Sequence, residues 1–168
     1  MPHALSRLPE GSRGLFAVTS LPYSESSIFL VPLRNGGYAR GVVARSSGHG
    51  KVLLGYFFGP KLTAPKEAPL NDLDPTKAIL CVRFGDLGLI KGEWPVVGSV
   101  PNWERSKWSM PDFVRRDDLS KKAWLVHYSN DDPNRVEAEH PTDFDSKLGR
   151  DSLAGYGAVE VMLTKHLG

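Results

Sequence analysis

SIFLVPLRNGGYARGVVARSSGHGKVLLGYFFG, Ser27 to Gly59, reads as three strands in a row. The runs IFLVPL, YARGVVARS and KVLLGYFFG are each of strand length. The Gly36-Gly37 pair and the Gly48-His49-Gly50 segment between them supply the backbone freedom that tight turns need. In the middle run Tyr38, Arg40, Val42 and Ala44 fall on one face and Ala39, Gly41, Val43 and Arg45 on the other, the period-two pattern of a sheet. Neither face is uniformly polar. Gly41 and Gly55, inside strand patterns, predict bulges or close backbone approach, the devices that curl a small sheet. The expected fold class is α+β and β-rich: a curled antiparallel sheet or SH3-like half-barrel with a C-terminal helix.

Working outward, residues 1–26 are rich in Ser, Pro and Gly and read as an N-terminal extension or arm, with GLFAV, Gly14 to Val18, as a candidate short strand. Residues 27–168 read as a single domain. PKLTAPKEAPLNDLDP, residues 60–75, carries four prolines and is expected to be a connecting loop. Ala78 to Phe84, AILCVRF, is a continuous apolar run of the kind found in buried strands, and Glu93 to Gly98 reads as a turn leading into another. AWLVHYS, Ala123 to Ser129, and RVEAEH, Arg135 to His140, alternate well enough to pair across Asn130 to Asn134. Val159, Met162, Leu163, His166 and Leu167 recur at helical spacing, which predicts a helix from Tyr156 to Leu167, with a strand from Ala158 to Thr164 as the competing reading.

A chain of 168 residues is long enough for a real core, burying roughly 68–70% of its unfolded surface. A composition of 40% hydrophobic and 24% charged residues is too apolar for general disorder, and it holds no run long enough for a membrane helix. The N-terminus, broken by Pro2, Pro9 and Pro22, lacks the apolar core of a secretory signal, so cytoplasmic residence is the expectation. Cys81 is the one cysteine, which rules out an intramolecular disulfide, and its apolar neighbours suggest a small buried hydrophobe.

The glycines form neither a Walker loop, since GHGKVLLG from Gly48 to Gly55 has the wrong spacing, nor a dinucleotide fingerprint. His3, His49, His127, His140 and His166 sit in no metal-binding motif, and one cysteine builds no zinc site, so neither a metal nor a cofactor is expected. His127 on a strand and His166 on the helix read as satisfied core or boundary residues, while a hydrolase built on His127 and nearby carboxylates is the remotest reading. Cys81 lacks a local activating motif.

Charge is unevenly distributed. Residues 1–59 hold six Lys/Arg against two Asp/Glu, residues 60–128 eleven against nine, and residues 129–168 four against eight. Asp131, Asp132, Glu137, Glu139, Asp143 and Asp145 therefore form a candidate acidic patch for a basic protein partner; their spacing fits no calcium loop. Of the tryptophans, Trp94 and Trp124 are expected in the core, whereas Trp103 and Trp108, in the polar stretch NWERSKWSMPD, are candidate interface anchors. The alternative partner is nucleic acid, because Arg34, Arg40, Arg45 and Lys51 lie on or beside a sheet carrying Tyr38, Tyr56 and Phe58. The near-balanced charge and the missing RRM signature weigh against it.

The succession IFLVPLRNGGYARGVVAR, LLGYFFG and AILCVRFGDLGLIKGEWPVVG resembles the immunity protein 26 family of bacterial polymorphic-toxin systems, over roughly Ser27 to Leu167. Its cues are a Pro-Leu pair before a Gly turn, Tyr38 and Gly41 in a Tyr-x-x-Gly strand, and Gly92 with Trp94 to Gly98 in a GxWPVVG segment. The resemblance implies a cytoplasmic inhibitor that binds the toxin domain encoded beside it stoichiometrically, with no catalysis required. It marks scaffold residues and leaves the toxin-binding surface unassigned.

Overall fold

The computed structural model describes residues 20–65 and 69–168, so the candidate strand at Gly14 to Val18 lies outside the described residues. Strands β1 (Ser27–Pro32), β2 (Tyr38–Ser46) and β3 (Val52–Leu62) form the expected antiparallel meander. Gly36 and Gly37 turn the chain between β1 and β2 with φ of 96° and 79°, a conformation glycine adopts without steric cost. The turn is closed by the Leu33 amide donating to the Gly37 carbonyl at 2.9 Å.

β3 runs three residues beyond the apolar segment, through Pro60 to Leu62, because Leu62 still pairs with Tyr38 across a bulge. The connecting loop is correspondingly shorter than residues 60–75 and ends in a single tight helical turn, Pro75–Lys77, capped by the Asp74 carboxylate. β4 (Leu80–Gly85) follows, then the short helix α1 (Leu87–Ile90) and β5 (Val96–Ser99). β6 (Phe113–Asp117), β7 (Lys122–Tyr128) and β8 (Val136–Thr142) make a second antiparallel sheet. The chain ends in β9 (Leu153–Ala154) and helix α2 (Tyr156–Leu167), the span given by the apolar periodicity, so the strand alternative at Ala158 to Thr164 falls.

The larger sheet has the order β5-β1-β2-β3-β4-β9 and the smaller β6-β7-β8. The fold is α+β with a curled sheet that stays open rather than closing into a barrel; all pairings between strands are antiparallel except β4 with β9. The two-sided apolar pattern of β2 is explained by layers on both of its faces. Phe29, Val43, Phe57, Phe84 and Trp94 pack under Val159 and Leu163 of α2, while Val42, Leu54, Phe58 and Trp108 pack against Phe113, Val126 and Tyr128 of the smaller sheet. Phe29 and Trp94 stack at 5.6 Å with planes 5° apart. That close stack explains Gly41, where a Cβ would collide with the Phe29 ring, and Gly55 is likewise pressed against Phe84.

Bulges interrupt the β2–β3 register between Tyr38 and Arg40 and between Val43 and Arg45. The second lets the Arg45 guanidinium reach Asn130 and the Arg105 carbonyl, beside the smaller sheet, instead of staying with Val43 as strict alternation requires. The β4 run, read as fully buried, is half-buried from Leu80 to Val82, because β9 covers only Arg83 and Phe84.

Candidate functional site

Of the cations on the meander, Arg40 and Arg45 are turned inward. Arg40 (3% exposed) donates to the carbonyls of Pro69 and Gly59 and to Asp72 at 2.7 Å, fastening the loop after β3. Arg45 (2% exposed) donates to Asn130 at 2.8 Å and to two backbone carbonyls; burial, then the nearby Arg105 charge, lowers its pKa. Tyr56 and Phe58 are buried between the two sheets, and Arg34 is paired with Glu160. Four of the residues on which the nucleic-acid reading rested, Arg40, Arg45, Tyr56 and Phe58, are therefore interior, while Arg34 is ion-paired at the surface and Lys51 stays exposed.

Two of the four tryptophans, Trp108 and Trp124, exchange their expected places. Trp94 is core as read, its Nε1 donating to Glu160 at 2.9 Å. Trp124 is half-buried at the surface of β7, with the Arg115 guanidinium 5.0 Å above its ring, because the smaller sheet extends past the core at that end. Trp108, expected at the surface, is 3% exposed and wedged edge-on against Tyr56 and Phe58. Trp103 stacks on it at 5.3 Å and remains half-buried, so the pair presents one aromatic outward.

Arg105 joins that aromatic pair to the acidic segment. Its guanidinium meets Glu25 at 2.8 Å, donates to the Asn130 carbonyl at 2.6 Å and pairs with Asp131 at 3.2 Å. The β7–β8 turn is thus tied to the segment that carries Trp103 and Trp108, with the Asp131 side chain 83% exposed, and Asp132 caps the same turn through the Asn134 amide. Glu137 and Glu139 lie on β8, the outer strand of the smaller sheet. Glu139 is ion-paired with Arg115, and Glu137 faces Arg135 at 3.7 Å and His127 Nε2 at 3.9 Å. Asp143 and Asp145 follow β8 at its far end, about 20 Å from the turn for a strand of this length, and form no ion pair among the described residues. The six carboxylates therefore spread over β8 and the segments at its two ends, and cations already answer three of them.

His127 Nδ1 lies 2.8 Å from Asp112 and its Nε2 faces Glu137, an imidazole between two carboxylates with no hydroxyl or thiol bonded to it among the described residues. The Cys81 thiol is pushed up to about 12 by burial and stays protonated at neutral pH. His166 is exposed on α2 instead of sitting at its core face. Among the described residues no group of three or more His, Cys, Asp or Glu side chains is arranged to hold a metal ion, and no helix is long and apolar enough to cross a membrane.

Sequence reading missed the surface around Trp124. There Lys121, Lys122, Pro141 and Phe144 line a groove of about 540 Å³, with Lys121 5.1 Å above the Phe144 ring. The signal was present in the charged Lys121-Lys122 pair just ahead of Ala123 and Trp124, which marks a strand end that outruns the core.

A family model described as immunity protein 26 matches residues 25–125 of the chain, more than half its length. The match takes in β1 through most of β7 and stops before β8, the acidic strand, and before α2. Comparison with curated proteins and with solved structures gave no match.

Proposed function

The chain belongs to the immunity protein 26 family, and from that premise we propose that it neutralises a cognate secreted bacterial toxin by direct, stoichiometric binding in the cytoplasm of the producing cell. The family match carries this reading: an immunity protein acts on a toxin, and occlusion by a protein surface asks for no catalytic group. In our reading the complex serves interbacterial competition through polymorphic or contact-dependent toxin systems. The acidic residues Asp131, Asp132, Glu137, Glu139, Asp143 and Asp145 steer a basic toxin surface, and Trp103, resting on buried Trp108, is the aromatic anchor.

The test is growth of cells expressing the toxin domain encoded beside this chain, with and without the chain, followed by purification of the pair. Rescue with a stable one-to-one complex is the expected result. Toxicity without rescue or binding overturns the reading for that partner.

A further inference from the structure

The β6 edge of the smaller sheet brings together arginines that are far apart in the chain. Val114 of β6 donates to the Gly149 carbonyl and accepts from the Asp151 amide, each at 2.8 Å, so a parallel bridge clamps the backbone of Arg150 beside the strand that carries Arg115 and Arg116. Val114, Arg115, Arg116, Asp118, Arg150 and Asp151 line a cavity of about 360 Å³ there. Cations gathered round one cavity repel one another unless an anion answers them. Arg115 is answered by Glu139. Arg116 is held in place without being neutralised: its Nε donates to the Phe144 carbonyl at 2.7 Å and its Nη2 to the Ser146 carbonyl at 2.5 Å, while its Nη1 makes no hydrogen bond among the described residues. Arg150 is exposed, and its guanidinium has no hydrogen-bond or ion-pair partner among the described residues.

The two carboxylates at the cavity leave that charge standing. Asp151 faces Arg83 at 3.5 Å and accepts from the Tyr128 hydroxyl, so it is committed to the interior. Asp118 is exposed and pairs with none of the three arginines. Two unanswered guanidiniums, one of them already immobilised, therefore stand against one solvated carboxylate. A guanidinium presents a planar fork of donors matched to oxyanions. A carboxylate is satisfied by one such fork, whereas the oxygens of a phosphate point in several directions and engage more than one arginine at once. Fixing Arg116 in advance also lowers the ordering cost that binding carries. The cavity is larger than a phosphate ion, which leaves room for a group that bears it.

We infer that the cavity between β6 and Arg150 binds a phosphate group, held by Arg116 and Arg150. The site stands apart from the toxin-binding reading above, since β6 and the acidic strand β8 are opposite edges of the smaller sheet.

Amide NMR of the full chain, titrated at constant ionic strength with inorganic phosphate and with glycerol phosphate, tests it. Saturable shifts are expected at Val114 to Arg116 and at Gly149 to Asp151. Arg150→Gln, at an exposed position outside the core, should weaken the binding about tenfold. Lys165→Gln, which removes one charge from exposed α2 surface, should leave it within about twofold of the wild type. Tighter binding of glycerol phosphate makes a phosphate ester the ligand, and tighter binding of the bare ion makes it free phosphate; either supports the site. The absence of saturable shifts at those amides overturns the inference, as do shifts that Arg150→Gln leaves unchanged. Equal affinity for acetate also overturns it, by making the cavity a carboxylate site.

Discussion

The Arg83 guanidinium lies over the face of the Tyr128 ring, 3.8 Å from its centroid, and so joins β4 of the larger sheet to β7 of the smaller. The same group donates to the Pro133 carbonyl at 3.0 Å and faces Asp151 at 3.5 Å, while the Tyr128 hydroxyl donates to that carboxylate. A buried cation so placed gains from stacking and from pairing, and its removal leaves Asp151 without its counter-charge. Arg83→Ala is expected to destabilise the chain by about 3 kcal/mol in urea unfolding. Arg83→Lys should recover little, since an ammonium neither stacks flat on the ring nor presents the planar fork that spans these acceptors. A loss of under about 1 kcal/mol for Arg83→Ala would show that the sheets are held together elsewhere.

Gly55 tests the packing of the aromatic layer. A Cβ there would lie 2.6 Å from the Phe84 ring and 2.9 Å from Phe57, both fully buried. Gly55→Ala is expected to cost about 1–3 kcal/mol through overpacking. Gly155→Ala, where a Cβ meets nothing within 4 Å, should be near neutral in the same thermal or chemical unfolding series.

Alkaline pH should unfold the chain through its buried phenols. Burial, then the neighbouring Cys81, pushes Tyr56 up to about 12; burial, then the hydrogen bond to Asp151, does the same for Tyr128. Both are neutral when folded and ionise near 10 when unfolded, so the unfolded chain sheds protons first. Their contribution is complete below pH 10 and is lost as pH rises toward 12. The melting temperature should fall across that window, with the ring NMR signals of Tyr56 and Tyr128 showing ionisation in step with unfolding rather than ahead of it. Ionisation of either of these two rings at pH 10 in a chain that stays folded would contradict the burial argument.

If the acidic strand steers a toxin, only carboxylates without a local cation should matter at long range. Asp143→Asn with Asp145→Asn is expected to slow association about two- to fivefold at low salt, with the difference shrinking as salt rises. Glu139→Gln, where Arg115 already cancels the charge, should change the rate far less. Stopped-flow association against the toxin domain separates the two cases, and equal effects from both sets of variants would remove steering from the account.

Strands and helix were legible because their signals are local. The IFLVPL and YARGVVARS runs, the Gly36-Gly37 turn and the spacing of Val159, Met162 and Leu163 each need only a few neighbouring residues to be read. Local signals also show whether a face is apolar; they leave open what covers it. The apolar content of both faces of β2 was visible, yet the layering of α2 on one side and β6-β7-β8 on the other depends on pairings far apart in sequence. Trp108 and Trp124 were misplaced for that reason: polar neighbours surround the buried one, and apolar neighbours flank the one at the surface.

The sequence by itself determined the family, the meander and the terminal helix, since these follow from residue type and short-range period. Tertiary structure alone decided that Arg40 and Arg45 face inward, that Arg105 ties the β7–β8 turn to the segment carrying Trp103 and Trp108, and that the acids spread over β8 and its two ends with half their charge answered. A charge in a sequence carries no direction. A bulge, a turn and a facing layer supply it, and each of those is fixed by packing between residues tens of positions apart.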